Sequence, residues 1–173
     1  MIILSLNVRG FGGAPKLLAL KEIFSAVRHD IILIQETMVG HQRAKDVFLN
    51  LCPSWCCVAL DSVGSSGGLL SGWNPDVCRF EAYHMGIGIL LEGLVLRFSF
   101  PIKLLNVYGP YKDRAQFWQR ENDLEILKTD YSLILGGDLN FTLSAGEVWG
   151  VKAALDPLNG FFSLFLMRQD WLI

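Results

Sequence analysis

Four apolar runs in this sequence each end on a polar side chain that could do chemistry. The opening run ends in Asn7, the run at 31–35 in Glu36, the run at 103–108 in Tyr108 and the run at 132–137 in Asp138, with Asn140 two residues on. Glu36 and Asp138 are hard oxygen ligands, of which a magnesium ion takes one or two beside waters and phosphate oxygens. Asn7 and Asn140 both donate and accept, and so can hold a water, a phosphate oxygen or a carboxylate. Tyr108 offers a phenolic donor to a phosphate oxygen as charge builds there. The pair Gly136–Gly137 lets backbone approach closely and removes side chains that would crowd a site. Together these groups could support metal-assisted attack of water on a phosphate ester. Singly, each has a plainer reading: a solvated carboxylate, a turn amide, an aromatic at the edge of the core, a tight turn. Spacing alone leaves the choice open.

Such a set works only if the strand ends meet at one edge, so the elements that carry them decide the matter. The sequence opens strand, helix, strand: "IILSL", then apolar positions Leu17, Leu20, Ile23, Phe24 and Val27 at helical spacing over 16–28, then "DIILIQET". A shorter helix follows at 41–51. Next come strand-like pieces with Gly, Pro and Asn between them: "SWCCVAL", "GGLLSGW", "VCRFEAY", "IGILL" and "LVLRFSF". In the last, Leu94, Leu96, Phe98 and Phe100 alternate with Val95, Arg97 and Ser99, the period of a half-buried strand, and Glu92–Gly93 reads as a hairpin turn before it. "KLLNVYGP" is another strand. Residues 113–128 set Phe117, Leu124 and Leu127 on one helical face, and "YSLILGG" is again a strand. Asp156 reads as an N-cap with Pro157 at the first position of a last helix over 157–168. Helices near both ends and antiparallel-looking strands between them predict two sheets packed face to face with helices outside.

Composition bounds the function. At 173 residues the chain suits one domain, and 51% hydrophobic against 18% charged residues points to much buried sheet or to apolar surface left uncovered. A net charge of −2 lacks the strong basic excess of many nucleic-acid binders, although a local basic strip suffices for contact. Cys52, Cys56, Cys57 and Cys78 lack the paired spacing of a zinc site, and no histidine is placed to complete one; reduced cysteines in or near the core are expected. No basic leader, cleavage site or membrane-length apolar run is present, so an intracellular protein, nuclear or cytoplasmic and without a membrane partner, is expected.

The ordered set "LNVRG", "IQET", "SGGLL", "NVYGP" and "GGDLN" resembles the endonuclease/exonuclease/phosphatase superfamily, from residue 4 to about residue 165. "NVRG" near the start and "VYGP" before an "FW" helix are most similar to the endonuclease domain of plant non-LTR retrotransposons. The resemblance implies an α+β fold, a four-layer α/β/β/α sandwich with the active site at one edge, and hydrolysis of phosphodiester or phosphomonoester bonds with Mg2+ or Mn2+. It makes Glu36 the main metal ligand, with Asn7 assisting at the metal or orienting its neighbours. Tyr108 would contact the scissile phosphate, Asp138 would position or activate the attacking water, and Asn140 would hold the phosphate or the nucleophile. Arg9 would approach a phosphate, and "SGGLL" would be structural.

One departure matters. The family's pattern continues through further strands to an Asp-His pair whose His is the general acid/base, and no such pair occurs here. His29, His41 and His84 match no family motif; the first two read as surface residues and the third closes a strand. A single domain over 1–173, incomplete at its C-terminus, with an unpaired sheet edge and little or no nuclease activity, is therefore expected. DNA would be the partner of the intact parent. The competing readings are a metal-dependent phosphatase of the same superfamily, acting on a small phosphorylated molecule or lipid, and a non-catalytic remnant.

Overall fold

The structure, a computed structural model, describes residues 1–63, 66–119, 132–142, 144, 146 and 156–160. Its elements run β1 (Ile3–Asn7), α1 (Ala14–Ala26), β2 (Ile31–Gln35), α2 (His41–Leu51), β3 (Cys56–Val63), β4 (Ser66–Trp73), β5 (Cys78–Met85), β6 (Gly88–Val95), β7 (Ile102–Tyr108), α3 (Arg114–Gln119) and β8 (Ser132–Asp138). The described strands form two four-stranded sheets, ordered β1-β2-β4-β3 and β5-β6-β7-β8. Each sheet is antiparallel except for one parallel pair, β1 with β2 in the first and β7 with β8 in the second.

Strand periodicity builds the layers. In β2, Ile31 and Leu33 enter a central core with Trp73, Ile89, Leu91, Ile102 and Leu104, which joins the two sheets face to face. The alternate residues Ile32 and Ile34 face outward onto Leu20 of α1 and Ala44, Val47 and Phe48 of α2. The four isoleucine and leucine side chains of β2 are sealed on both faces, each burial contributing about 1.5–3 kcal/mol. On the far side of the second sheet, Leu90, Leu105, Val107 and Leu133 pack against Trp118 of α3 and Leu158. The result is an α+β sandwich of two mixed sheets with helices outside, the architecture expected from the sequence. Among the described residues no helix is long and apolar enough to cross a membrane.

The segment 87–100 differs from expectation. Glu92–Gly93 is no hairpin turn: β6 runs straight through it, with Glu92 opposite Glu81 and Lys103, and Gly93 opposite Phe80 and Ile102. The alternation beyond it is inverted, because β6 enters the core with Val95 while Leu94, Leu96 and Phe100 are exposed. Two paired neighbours hold Gly93 extended, and a Cβ there would lie 2.0 Å from the Arg79 carbonyl oxygen, so the glycine serves close strand packing. His41 opens α2, as the expected helix at 41–51 requires, with its Nδ1 2.9 Å from Asp61. His29 is half-buried, its ring between Phe24 and Trp55. Of the helix expected at 113–128, Leu124 and Leu127 lie outside the described residues, as does most of the helix expected at 157–168. Asp156 Oδ1 accepts the Leu158 N–H at 2.9 Å, but Pro157 and Leu158 form a turn and the first helical residue is Asn159, so Asp156 sits before the turn rather than at the helix N-cap.

Candidate active site

The parallel pairs put the polar ends of four strands at one corner of the sandwich. In the first sheet Asn7 lies opposite Gln35, immediately before Glu36; in the second, Tyr108 lies opposite Asp138. The sheets face each other, so the pairs meet. The Asn7 amide Nδ2 donates to Glu36 Oε1 at 2.9 Å and to Asp138 Oδ2 at 2.7 Å. Both acceptors are carboxylates, which fixes the orientation of the amide. The Tyr108 hydroxyl donates to the same Glu36 Oε1 at 2.7 Å.

Backbone holds Glu36 in place. It has a left-handed φ of 54°, a conformation that is uncommon for a residue with a side chain. On one side the chain beyond β1 follows it, with Val8 N–H donating to Gln35 O and Gly10 N–H to Glu36 O. On the other side Thr37 N–H and Met38 N–H donate to the carbonyls of Gly68 and Gly67 at 3.1 Å. Gly68 must be glycine: its φ is +82° and a Cβ would lie 2.3 Å from Thr37 Oγ1. The "SGGLL" strand is thus structural, but it braces Glu36 directly. Gly136 and Gly137 serve packing more than clearance at the corner. A Cβ on Gly136 would meet Leu33 at 2.6 Å, and one on Gly137 would meet the Val107 carbonyl oxygen at 1.9 Å.

The electrostatics favour a protonated phenol beside a carboxylate. Burial, then the hydrogen bond and charge of Glu36, push Tyr108 well above the usual phenol range. Glu36 itself is only 6% exposed. Among the described residues its Oε1 takes both donors and its Oε2 takes none. The Asp138 Oδ1 accepts the Asn140 N–H at 3.2 Å.

Asn140 and Arg9 lie beside this cluster rather than in it. The Asn140 Nδ2 donates to the Gly109 carbonyl, which ties the loop after β8 to the loop after β7. Arg9 is exposed at the rim; its N–H donates to Asn7 Oδ1 at 3.1 Å, and its carbonyl accepts Lys16 Nζ at 2.7 Å. Sequence reasoning missed Arg114, whose guanidinium donates at 2.7 Å both to the Asn140 carbonyl and to Asp156 Oδ2. Its place in the charged stretch "YKDRAQ" gave no sign of this.

The donor set fits a small hard divalent cation. Two carboxylates reach one amide, and no cluster of three or more His, Cys, Asp or Glu forms among the described residues, so an all-protein cage is not built there. Magnesium keeps several waters and takes one or two carboxylates plus phosphate oxygens.

The sequence matches the Endonuclease/Exonuclease/phosphatase family over residues 4–166. This chain belongs to that family. Solved structures share the fold at low identity. TDP2 from Caenorhabditis elegans is 21% identical with a TM-score of 0.56, covering 87% of this chain and 49% of its own. The APE2 catalytic domain of Xenopus laevis is 17% identical with a TM-score of 0.65, covering 95% of this chain and 67% of its own. The endonuclease domain of TRAS1, a telomere-specific non-LTR retrotransposon, is 16% identical with a TM-score of 0.62, covering 96% of this chain and 69% of its own. The chain thus spans about half the length of the TDP2 structure it matches. No curated protein sequence matches this chain.

Proposed function

We propose that this family member is a metal-dependent phosphodiesterase of the DNA endonuclease type, and that the corner formed by Asn7, Glu36, Tyr108 and Asp138 is its reaction centre. One observation carries the reading: a single amide, that of Asn7, bridges two carboxylates from different sheets while a protonated phenol donates to one of them. Bound there, Mg2+ or Mn2+ supplies Lewis-acid polarisation of a phosphoryl oxygen. Glu36 would hold the ion through its carboxylate. Asn7 keeps both carboxylates oriented. Asp138 positions the attacking water and accepts its proton. Tyr108 exchanges its bond to Glu36 for one to a phosphate oxygen as negative charge develops. Asn140 steadies the phosphate with the second hydrogen of its amide, and Arg9 approaches a neighbouring phosphate from the rim.

The substrate class rests on motif context and on relatives. "NVRG" and "VYGP" before "FW" favour the plant non-LTR retrotransposon branch, and the likeness in fold to the TRAS1 endonuclease domain is consistent with it. DNA is then the partner. None of the three histidines lies at the corner: His29 sits between Phe24 and Trp55, His41 beside Asp61, and His84 is exposed near the end of β5. The 173-residue chain by itself therefore lacks an imidazole at the phosphate, and its turnover is slow by about 10²–10⁴-fold for want of it.

Nicking of supercoiled plasmid tests this. Slow nicking that requires Mg2+ and disappears in Glu36→Ala is expected. Nicking that survives the substitution or chelation overturns the assignment of Glu36. Fast nicking abolished by the substitution overturns the claim of slow turnover. Cleavage of phospholipid or inositol phosphate in preference to DNA moves the chain to the phosphatase reading.

A further inference from the structure

A second row of polar side chains lies one layer beneath the corner, where a sandwich core is ordinarily apolar. Gln35 and Asn106 are 1% and 0% exposed, between the sheets. The Gln35 Nε2 donates to Asn106 Oδ1 at 2.8 Å, from the first sheet to the second. The Asn106 Nδ2 donates back, to the Leu70 carbonyl at 3.0 Å and to Ser71 Oγ at 3.2 Å. Gln35 also reaches Ser5 Oγ at 3.3 Å. One connected set of hydrogen bonds thus joins β1, β2 and β4 of one sheet to β7 of the other.

The strand period relates this row to the corner. Ser5 and Asn106 lie two residues before Asn7 and Tyr108, so each pair shares a face of its strand. Gln35 is the residue before Glu36. In β8 the matching position, opposite Asn106 and two before Asp138, is Gly136, which offers no side chain and lets β8 close on Leu33. Apolar packing fixes the distance between sheets well but their lateral offset poorly, since methyl groups slide past one another at little cost. Directional amide hydrogen bonds in a dry interior do fix an offset, because a shifted sheet leaves buried donors unpaired at about 1–3 kcal/mol each.

We propose that Gln35 and Asn106 are positioning residues: an amide clamp that sets the offset of the two sheets and thereby the bridge of Asn7 to Glu36 and Asp138. This rests on reading that corner as a metal-assisted phosphodiesterase site. The clamp touches no substrate. It acts through the strands whose ends carry the corner, as partners beyond the ligands do in metal sites, where their loss weakens metal affinity by about 10–100-fold.

The test compares the 173-residue chain with Gln35→Leu/Asn106→Leu, which replaces the clamp by apolar groups of similar size. Two signals are read: the side-chain amide resonances of Asn7 in 15N-labelled protein without metal, and Mn2+ affinity by electron paramagnetic resonance. The double variant is expected to melt cooperatively near the parent temperature, yet to show shifted or broadened Asn7 amide signals and Mn2+ binding weakened by about tenfold. Ile89→Val, a cavity in the same central layer, is expected to lower the melting temperature while leaving both signals in place. The length-reversing swap Gln35→Asn/Asn106→Gln is expected to restore them. If the double variant does not fold, the swap and Gln35→Met decide the question by the same signals. Asn7 resonances unmoved in a folded clamp-free variant, or moved equally by Ile89→Val, overturn the proposal. A parent chain that binds no Mn2+ overturns the metal reading alone, and the Asn7 resonances still judge the clamp.

Discussion

The two polar rows use similar groups at different depths, and they differ in how completely those groups are satisfied. In the deeper row, two amides and two hydroxyls match donors to acceptors, and the row is closed. In the upper row, two carboxylates share one amide and one phenol, so acceptors outnumber donors. A closed row holds shape. An open row at a protein edge leaves acceptor capacity that water, a proton or a cation can meet. The difference teaches that a buried polar residue next to a site is not itself a site, and that the surplus of unpaired acceptors marks where chemistry can occur.

The largest break in that comparison comes from Asn7, the amide that organises the upper row. Asn7→Ala is expected to weaken Mn2+ binding by about 10–100-fold with little change in melting temperature. Asn7→Asp also removes the shared donor but adds a third carboxylate, so it is expected to bind Mn2+ more tightly than Asn7→Ala while destabilising the metal-free corner at neutral pH. Titration of Mn2+ by electron paramagnetic resonance measures both. Equal affinity in all three proteins would mean that the bridge does not organise the corner. A smaller effect, on stability, is expected from Gly68→Ala. The new methyl meets Thr37 Oγ1 at a left-handed position, costing more than about 1 kcal/mol in urea unfolding. An unchanged midpoint would show that Gly68 does not brace the Glu36 turn.

The smallest effect lies outside both rows, at Asp156. Burial raises its carboxyl, but the Leu158 N–H, the Arg114 guanidinium and the Thr142 N–H outweigh this and hold it below the usual range. A depressed carboxyl contributes stability above its unfolded value, about pH 3.9, and loses it as pH falls through the lower folded value. Arg114→Ala is therefore expected to lower stability slightly near pH 7, with the deficit shrinking in acid as Asp156 becomes protonated in both proteins, so that the acid limb is shallower than the parent's. An acid limb identical to that of the parent would show that the pair does not stabilise this loop.

The elements were largely legible in the sequence because their signals are local. The helical spacing of Ala44, Val47 and Phe48, and the apolar run of Ile31 to Ile34, reveal themselves within one element. Pairing was not legible: nothing local says that β2 lies between β1 and β4. The Glu92–Gly93 turn was misread because a glycine chosen for strand packing looks like one chosen for a bend. The corner residues were named from strand ends and motif resemblance, yet the sequence does not distinguish Asn7, whose amide bridges the sheets, from Asn140, whose amide is tied to Gly109. Asn106 sits inside an apolar run, and a polar residue at a buried strand position was the signal that could have exposed the clamp.

The Asn7–Asp138 hydrogen bond has a kinetic consequence, for it joins residues 131 positions apart. Contacts of such separation close late in folding, after local helices and hairpins have formed. The β1–β2 and α2 region can therefore be native while the corner does not yet exist. The bridge is complete only when β8 has docked, so its amide signal would serve as a clock for the last step of folding, and a partial opening at β8 would disarm the corner without unfolding the rest.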